Sequence, residues 1–333
     1  MSYIYRNHDQ QRIMNFKHDQ YKQHTLATEV GISGAGLHTV IGVDVKLRPA
    51  ETGYGYRFKR VDLPGQPVIA ADCDLVTNTF RCTTLSANGA SVSTVEHVLA
   101  ALVATGIDNC LIELNGPELP IIDGSCMPFI TLIEKAGVVV QHAEKIWYTV
   151  DSEISQYFPE KNVTMAAIPN EEFSVVTYMD FKGTVLGEQH AHLERIADFK
   201  NEIAPCRTYC FVHELEMLME KNLLKGDLVK NAILVIDKPV SEEEMMRLQK
   251  KFSMLDFARK DGGYLNNLQL RFENEIARHK LMDVIGDLSL IGFPIKAKIL
   301  GSRPGHSTNV EFAKKIKQHF LKKKGIKPAA IRA

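Results

Sequence analysis

The sequence lacks the features that mark a specialised structural class. Charged residues make up 24% of the 333 positions and hydrophobic residues 45%, as in ordinary globular proteins. The 40 basic and 40 acidic side chains cancel, so bulk charge indicates neither nucleic acid nor an anionic membrane as a partner. The most apolar stretch, residues 97–114, is interrupted by Asp108 and Asn109. We therefore expect no stable insertion into a membrane.

Several common motifs are also missing. The six cysteines include no Cys-x-x-Cys pair, which argues against a zinc ribbon, a thioredoxin-type motif and a secreted disulfide framework. The polar first 20 residues contain no apolar core of a signal peptide, so we expect a cytoplasmic protein with reduced thiols. The sequence also has no Walker A motif, no H-E-x-x-H and no G-x-S-x-G, the usual markers of phosphate-binding loops, zinc proteases and serine hydrolases.

The pattern of strands and helices predicts an α+β protein whose second half loosely repeats the order of the first. Similarity between the halves is too weak to demonstrate a duplication. Strands are predicted at 43–50, 55–61, 110–116, 146–150, 163–168, 174–181, 232–237 and 296–300, and helices at 93–105, 127–137, 209–221, 270–291 and from Thr308. We predict a mobile arm at 1–20, a first domain at 21–144, a second domain at 145–325 that contains an insertion at 241–263, and a tail at 326–333.

Three ionisable residues follow one another at intervals of four along the helix predicted at 270–291. His279, Asp283 and Asp287 therefore lie on one helix face. A histidine and an aspartate at this spacing can bind one metal ion, and a further carboxylate can orient a neighbouring imidazole. The simpler alternative is that this stripe is the solvated side of an amphipathic helix.

Two other segments carry candidate catalytic residues. Glu96 precedes His97 in STVEHVLAAL, which offers a metal ligand beside a carboxylate able to take a proton from water. The alternatives are a capping box between Ser93 and Glu96 and an ordinary buried, hydrogen-bonded His97. His306 lies on a Gly/Pro loop before a helix, where it is either catalytic or a surface histidine. The helix end disfavours its protonated form unless a carboxylate compensates.

Seven segments in the same order resemble the UDP-3-O-acyl-N-acetylglucosamine deacetylases, the zinc enzymes of lipid A biosynthesis in Gram-negative bacteria. The segments extend over residues 22–325, and spacing alone would not have joined them into one site. They are GAGLHT (34–39), KLRPA (46–50), STVEHVLAAL (93–102), GIDNCLIELNGPELPIIDGS (106–125), CRTY (206–209), RFENEIARHKLMDVIGDL (271–288) and GHSTN (305–309).

The resemblance implies zinc-dependent removal of the N-acetyl group from UDP-3-O-(3-hydroxyacyl)-N-acetylglucosamine, the committed step of the pathway. It implies two β-α-α-β sandwich domains that face each other, with the active site between them and an acyl-chain passage at about 205–235. By matched position it implies His97, His279 and Asp283 as zinc ligands, Glu96 as general base, His306 as general acid with Asp287 beside it, Thr208 as an oxyanion-stabilising hydroxyl, and Lys280, Thr208, Tyr209 and Gly226 as substrate-binding residues.

The sequence departs from the family pattern near the acyl passage. Tyr209 and Cys210 stand where Phe and Gly are commoner, and KGDLVKNA (225–232) replaces a KGGSLDNA-like stretch. These changes leave open a zinc amidase of the same fold with a shifted acyl or sugar substrate. A non-catalytic sugar-nucleotide binder is less favoured, because all the matched catalytic positions are filled.

The insertion at 241–263 and the basic C-terminus resemble the subgroup in which this deacetylase is fused to a 3-hydroxyacyl-carrier-protein dehydratase. We therefore expect a covalently fused dehydratase half as a partner in the full-length product. The present chain is expected to have no dehydratase activity of its own.

Overall fold

A computed structural model describes residues 21–181, 186–214, 231–236, 240–252, 259–260, 263–265 and 269–325. The predicted arm at 1–20, the predicted tail at 326–333 and Gly226 lie outside the described residues. So do residues 215–230 of the predicted acyl passage.

The described chain confirms the predicted α+β class. Its helices are α1 (Glu96–Ala104), α2 (Met127–Ala136), α3 (Phe199–Glu202), α4 (Glu242–Phe252), α5 (Glu275–Leu288) and α6 (His306–Lys324). Its strands are β1 (Lys22–Leu26), β2 (Val30–Ala35), β3 (Gly42–Pro49), β4 (Tyr56–Arg60), β5 (Val68–Ala70), β6 (Val76–Asn78), β7 (Thr84–Ala87), β8 (Ala90–Ser93), β9 (Cys110–Leu114), β10 (Val138–Glu144), β11 (Tyr148–Thr149), β12 (Ile154–Phe158), β13 (Val163–Ile168), β14 (Ser174–Phe181), β15 (Gly187–Leu193), β16 (Tyr209–Phe211), β17 (Ile233–Val235), β18 (Arg259–Lys260), β19 (Tyr264–Leu265), β20 (Ile295–Lys296) and β21 (Lys298–Ser302).

Two five-stranded sheets follow the same pattern of strand pairing. One has the order β2-β3-β9-β4-β5 and the other β12-β13-β21-β14-β15. In each sheet the central strand, β9 or β21, pairs antiparallel on one side and parallel on the other. The outer pairs are antiparallel in both. The two halves therefore share a strand order although they share little sequence, and the division into domains near residue 145 stays a prediction.

The strands of these sheets bury one face and expose the other. In β3 the side chains of Val43, Val45 and Leu47 are buried, and they alternate with the exposed Asp44 and Lys46. Such alternation is typical of a sheet whose one face packs on the protein interior while the other meets water.

Helix α5 lies between the second sheet and helix α1, and it contacts β14, β15, α1 and α6. Twelve of its 14 residues are buried. Gly286 marks the crossing with α1, because a β-carbon added there would lie 2.2 Å from the backbone oxygen of Glu96. Glycine thus lets the two backbones approach closely, and the first turn of α1 faces the polar residues of α5.

Most of the predicted elements are present, with local shifts. The strands predicted at 163–168 and 174–181 are confirmed to the residue. The helix predicted at 209–221 is wrong at its start, since Tyr209–Phe211 pairs in parallel with Ile233–Val235. The long helix begins at Glu275 rather than 270, after a turn in which the Arg271 amide binds the Glu275 carboxylate.

No helix in the described ranges is both long and apolar enough to cross a membrane. All six cysteines are buried, and none is paired in a disulfide. Burial raises the pKa of Cys73, Cys82 and Cys110 to about 12. These thiols therefore remain protonated and unreactive near neutral pH.

Because α1 and α5 cross so closely, we expect any side chain at position 286 to destabilise the folded protein. We expect Gly286→Ala to lower the free energy of unfolding by about 1–3 kcal/mol, as overpacked cores do, because the added methyl group meets backbone rather than a flexible side chain. Gly42→Ala is the control, since a β-carbon at Gly42 meets nothing within 4 Å. Denaturant unfolding of both variants is the measurement, and equal stability of Gly286→Ala and the wild type would contradict the tight crossing.

Candidate active site

Two histidines and an aspartate from two helices meet where α1 crosses α5. His97 lies on α1, and His279 and Asp283 lie one turn apart on α5. One nitrogen of each imidazole and one carboxylate oxygen lie within 4.8 Å of one another, and His279 Nε2 is 3.6 Å from Asp283 Oδ1. All three residues are at most 4% exposed. Two imidazoles and a carboxylate so arranged form a group that can hold a metal ion.

Both imidazoles of this triad are in the neutral form that metal binding requires. Burial lowers the pKa of His97 to about 3, and His279 beside it adds to the shift. Burial also lowers the pKa of His279. The Nδ1 atom of His279 is 3.1 Å from the carbonyl oxygen of Cys206. Because a carbonyl can only accept, Nδ1 carries the hydrogen and Nε2 keeps its lone pair on the side of Asp283.

Asp283 supplies negative charge to the triad. Burial alone raises its pKa, but Lys280 and the surrounding histidines outweigh burial, so the pKa lies well below the usual range. Lys280 Nζ donates to Oδ2 at 2.7 Å, whereas Oδ1 is buried without a hydrogen-bond partner. A buried oxygen that lacks a donor is costly, and a cation held between the two imidazoles would satisfy it.

Another group with metal-ligand chemistry, Asp72, Cys73 and Asp74, is less suited to an ion. Lys317 Nζ donates to Asp72 at 2.6 Å and to Asp74 at 3.0 Å, so an ammonium group already neutralises these carboxylates. The raised pKa of Cys73 also keeps its thiol protonated. A metal ion would need the thiolate instead.

A buried ion pair fixes the segment that binds His279. Glu275, at the start of α5, is 1% exposed and Arg207 is 6% exposed. The backbone nitrogen and the Nε atom of Arg207 both donate to Glu275 Oε1 at 2.9 Å. Removing one partner of such a pair typically costs about 3–5 kcal/mol. The neighbours of Arg207 in the chain, Cys206 and Thr208, are therefore held firmly beside α5.

A second cluster adjoins the triad. Ligand-type atoms of Glu96, Asp287 and His306 lie within 4.8 Å of one another, and His306 Nε2 is 3.8 Å from Asp283 Oδ2. Burial raises the pKa of Glu96, and the nearby His306 only partly opposes this shift. In its ionised form, a carboxylate whose pKa is raised to about 8 is a stronger base than an ordinary glutamate.

Asp287 is completely buried and receives three hydrogen bonds. Thr83 Oγ1 donates to Oδ1 at 2.6 Å, and Asn309 Nδ2 donates to Oδ2 at 2.9 Å. His306 Nδ1 is 3.0 Å from Oδ2, to which it donates. Burial lowers the pKa of His306, but Asp287 and Asp283 outweigh burial and raise it to about 9. The imidazole is therefore protonated at neutral pH, and its Nε2 hydrogen is not used by Asp287.

The capping interpretation of Glu96 is wrong. Ser93 ends strand β8, and its amide donates to the carbonyl oxygen of Pro117. Glu96 Oε2 instead accepts a hydrogen bond from the Thr83 amide at 3.0 Å. His97 is buried, as both of its interpretations require.

The solvated-face interpretation of α5 is also wrong, because His279, Asp283 and Asp287 are each at most 3% exposed. His306 is not a surface residue, since its side chain is only 10% exposed. It is the first residue of α6, which begins two residues before the predicted start. The Gly305 amide donates to Thr308 Oγ1 at 3.1 Å, so Thr308 caps the amino end of this helix.

A cavity of about 390 Å³ adjoins His306. Three of its lining side chains, Lys161, Lys280 and Arg303, are cationic, and the amino end of α6 also favours anions. Arg303 Nε is buried without a hydrogen-bond partner, and Nη1 of the same side chain is 3.7 Å from Asp180 Oδ2. With three cationic side chains in its wall, the cavity suits an anionic ligand. It is lined by Thr79, Lys161, Val163, Lys280, Arg303, Gly305, His306, Ser307 and Thr308.

Of the other predicted site residues, Tyr209 begins strand β16, Thr208 directly precedes it, and Gly226 lies outside the described chain. Thr208 is fixed through its backbone, whose amide donates to Gly124 and whose carbonyl accepts from Ile233, both at 2.8 Å. Tyr209 is partly buried, and burial raises its pKa, while Lys280 opposes the shift. The structure thus brings Tyr209 near the triad, whereas Gly226 is not among the described residues.

Sequence reasoning missed several residues of this site. Lys161 follows no motif, and Arg303 was passed over although it stands in the GSRPG loop beside His306. Thr83 and Asn309 are ordinary polar residues whose importance becomes visible only through their hydrogen bonds to Asp287. The GHSTN segment contained Asn309, so the resemblance could have drawn attention to it.

The family model LpxC: UDP-3-O-acyl N-acetylglycosamine deacetylase matches residues 23–258 and 257–318 of the chain. The deacetylase named UDP-3-O-acyl-N-acetylglucosamine deacetylase from Nostoc sp. is 34% identical over 299 residues, which cover 89% of this chain and 98% of that protein. These matches extend over nearly all the residues that form the two clusters and the cavity.

Two relatives named bifunctional enzyme LpxC/FabZ are more similar. The protein of Bacteroides thetaiotaomicron is 43% identical over 299 residues, and that of Porphyromonas gingivalis is 42% identical over 302 residues. Each alignment covers 90% of this chain but 65% of the relative, so the chain spans about two thirds of their length. The predicted resemblance to the deacetylases and to their fused subgroup is confirmed, and the chain belongs to the UDP-3-O-acyl N-acetylglycosamine deacetylase family.

Proposed function

We propose that the protein is a zinc-dependent deacetylase of lipid A biosynthesis. Its substrate is UDP-3-O-(3-hydroxyacyl)-N-acetylglucosamine, and its products are acetate and the free 2-amino sugar, which keeps both UDP and the acyl chain. The observation that carries the proposal is that a metal-ligand triad adjoins a carboxylate–imidazole cluster where α1 and α6 meet α5. A hydrolase acting on an amide needs a Lewis acid, a base and an acid, and the two clusters together offer all three.

The donor set of the triad fits zinc. Two neutral imidazoles and one carboxylate are the protein ligands of many catalytic zinc sites, which keep a further position open. Asp283 Oδ1 is a buried oxygen without a donor, and the imidazole of His279 is oriented by the Cys206 carbonyl. We therefore assign His97, His279 and Asp283 as the zinc ligands. When bound there, zinc would polarise the acetyl carbonyl of the substrate.

Glu96 and His306 are the proposed base and acid. Glu96 takes the proton from the attacking water, a role for which its raised pKa suits it. His306 then gives the proton on Nε2 to the nitrogen of the leaving amine, because its Nδ1 hydrogen is committed to Asp287. The raised pKa of His306 keeps this proton in place at neutral pH. The base and the acid thus differ in protonation because burial dominates around Glu96, whereas two aspartates surround His306.

Thr208 and Tyr209 are proposed to face the reacting carbonyl and the sugar. The backbone bonds of Thr208 to Gly124 and Ile233 fix the main chain that carries its hydroxyl, and we assign this hydroxyl to stabilisation of the developing oxyanion. Gly226 is kept as a proposed substrate-binding residue on the resemblance alone.

The cationic cavity is the proposed seat of the diphosphate of UDP. Lys161, Lys280 and Arg303 line it beside His306, so a diphosphate bound there would place the attached sugar next to the acid. Phosphate oxygens are good acceptors for ammonium and guanidinium groups. The active site is proposed to lie between two sandwich domains that face each other, and the acyl chain to leave along a passage formed by the segment at about 205–235. A dehydratase half would be a covalent partner of this chain.

The proposed activity predicts zinc-dependent release of acetate. Purified protein incubated with UDP-3-O-(3-hydroxyacyl)-N-acetylglucosamine is expected to lose turnover after metal chelation and to regain it when zinc is restored, since the Lewis acid is removed and returned. Quantification of acetate is the measurement. No turnover by folded, zinc-loaded protein would contradict the proposal, whereas turnover of only shortened or lengthened acyl chains would favour the amidase with a shifted substrate.

The assignment of Glu96 as base predicts a large loss of rate without loss of metal. Glu96→Gln is expected to lower kcat by about 10²–10⁴, the usual contribution of general acid–base catalysis, because an amide cannot take a proton. Zinc content should remain that of the wild type. Glu113→Gln is the control, since Glu113 is also largely buried but pairs with Arg48 at 2.8 Å on another strand. Near-normal turnover by Glu96→Gln would contradict the assignment.

The assignment of His306 as acid predicts a fall of activity at high pH. The group must be protonated to donate, and its pKa is raised to about 9, so kcat should decline as the pH rises through that value. We expect His306→Ala to be slow and to lose this decline, whereas the exposed His142→Ala should keep it. The pH profile of kcat is the measurement, and an unchanged high-pH limb in His306→Ala would reject His306 as the acid.

A further inference from the structure

Thr83 joins two carboxylates that belong to different helices. It lies in the described chain immediately before β7 and is completely buried. Its amide donates to Glu96 Oε2 at 3.0 Å, and its hydroxyl donates to Asp287 Oδ1 at 2.6 Å. The residue is 204 positions from Asp287, so this link exists only in the folded chain.

The hydroxyl of Thr83 controls the orientation of Asp287. His306 and Asn309 both bind Oδ2, whereas Thr83 is the donor to Oδ1. Loss of the hydroxyl would leave Oδ1 without this donor in a position closed to solvent, which a buried carboxylate tolerates poorly. The carboxylate could then rotate about its bond to Cβ, and the imidazole bound to Oδ2 would move with it.

The backbone of Thr83 is fixed to the start of α1 from both sides. Its amide binds the Glu96 carboxylate, and its carbonyl oxygen accepts a hydrogen bond from the Val95 amide at 3.4 Å. The hydroxyl is therefore presented to α5 from a rigid support. A hydrogen-bond donor held in this way can set the relative placement of two catalytic groups.

We propose that Thr83 is a positioning residue that couples the base Glu96 to the acid pair Asp287–His306. Its amide orients the carboxylate of Glu96, and its hydroxyl orients the carboxylate that holds His306. Thr83 does not line the cavity and acts on the reaction through these two groups. This inference rests on the proposed deacetylase function.

Two comparisons separate the effect of the hydroxyl from that of side-chain packing: the wild type with Thr83→Val, and Thr83→Ser with Thr83→Ala. Thr83→Val keeps the shape of the wild type and lacks the hydroxyl, and Thr83→Ser and Thr83→Ala differ from each other mainly in the hydroxyl. We expect kcat to fall by about 10–100-fold in Thr83→Val and Thr83→Ala, the usual loss when an orienting partner is removed. KM and zinc content should stay at wild-type values, and Thr83→Ser should recover most of kcat.

Thr84→Val is the matched control for the loss of a buried hydroxyl. Thr84 is the next residue, is also buried, and its Oγ1 is 3.0 Å from Ser93 Oγ rather than from either carboxylate. It should lower the melting temperature about as Thr83→Val does but leave kcat unchanged. Steady-state kinetics, zinc content and thermal unfolding of all four variants and the wild type are measured together.

The outcomes separate this inference from the function on which it rests. A wild type that releases no acetate would overturn the proposed function and this inference with it. A wild type that turns over, together with an unchanged kcat in Thr83→Val, would overturn the inference alone. Equal losses of kcat in Thr83→Val and Thr84→Val, or in Thr83→Ser and Thr83→Ala, would show a general packing effect and would also overturn it. Should Thr83→Val fail to fold, the Ser/Ala pair decides.

Discussion

The close crossing of α1 and α5 is the constraint on which the site depends. Gly286 removes the side chain that would hold the backbones apart, and the crossing buries three ionisable residues of α5. Burial of such groups is costly unless each finds partners. The chain provides a different partner for each, and these partners define the site: the Cys206 carbonyl for His279, Lys280 for Asp283, and Thr83, His306 and Asn309 for Asp287.

The electrostatic differences between neighbouring groups follow from those partners. Burial keeps His97 neutral and raises the pKa of Glu96, while two aspartates raise the pKa of His306, whose side chain is 10% exposed. Asp283 stays charged because Lys280 and the histidines outweigh burial. One small region thus contains four kinds of group that catalysis can use. They are a pair of neutral imidazoles, an anionic carboxylate, a carboxylate with a raised pKa and a protonated imidazole.

From the sequence, the candidate roles of these residues could be predicted, but the fact that they are buried could not. The spacing of His279, Asp283 and Asp287 correctly placed them on one helix face. Helical periodicity alone predicts that such a polar face is exposed to water. The face is buried instead because α1 packs against it, and this tertiary contact cannot be read from the periodicity. The S-x-x-E spacing also favoured a helix-capping role for Glu96. This prediction is wrong because the Glu96 carboxylate binds the amide of Thr83, which lies just before β7 and outside the S-x-x-E segment. The resemblance joined the distant segments. No sequence motif marks Lys161, Arg303 or Thr83, whose places beside the site exist only in the folded chain.

The central claim is that His97, His279 and Asp283 hold zinc beside Glu96 and His306. The most direct measurement is a crystal structure of the zinc-loaded protein with anomalous diffraction recorded on both sides of the zinc absorption edge. The account predicts one strong zinc peak between the two imidazoles and Asp283 Oδ1, at about 2.0–2.2 Å from each ligand atom. A protein that takes up zinc but shows the peak elsewhere, or ligands that turn away from it, would contradict the account.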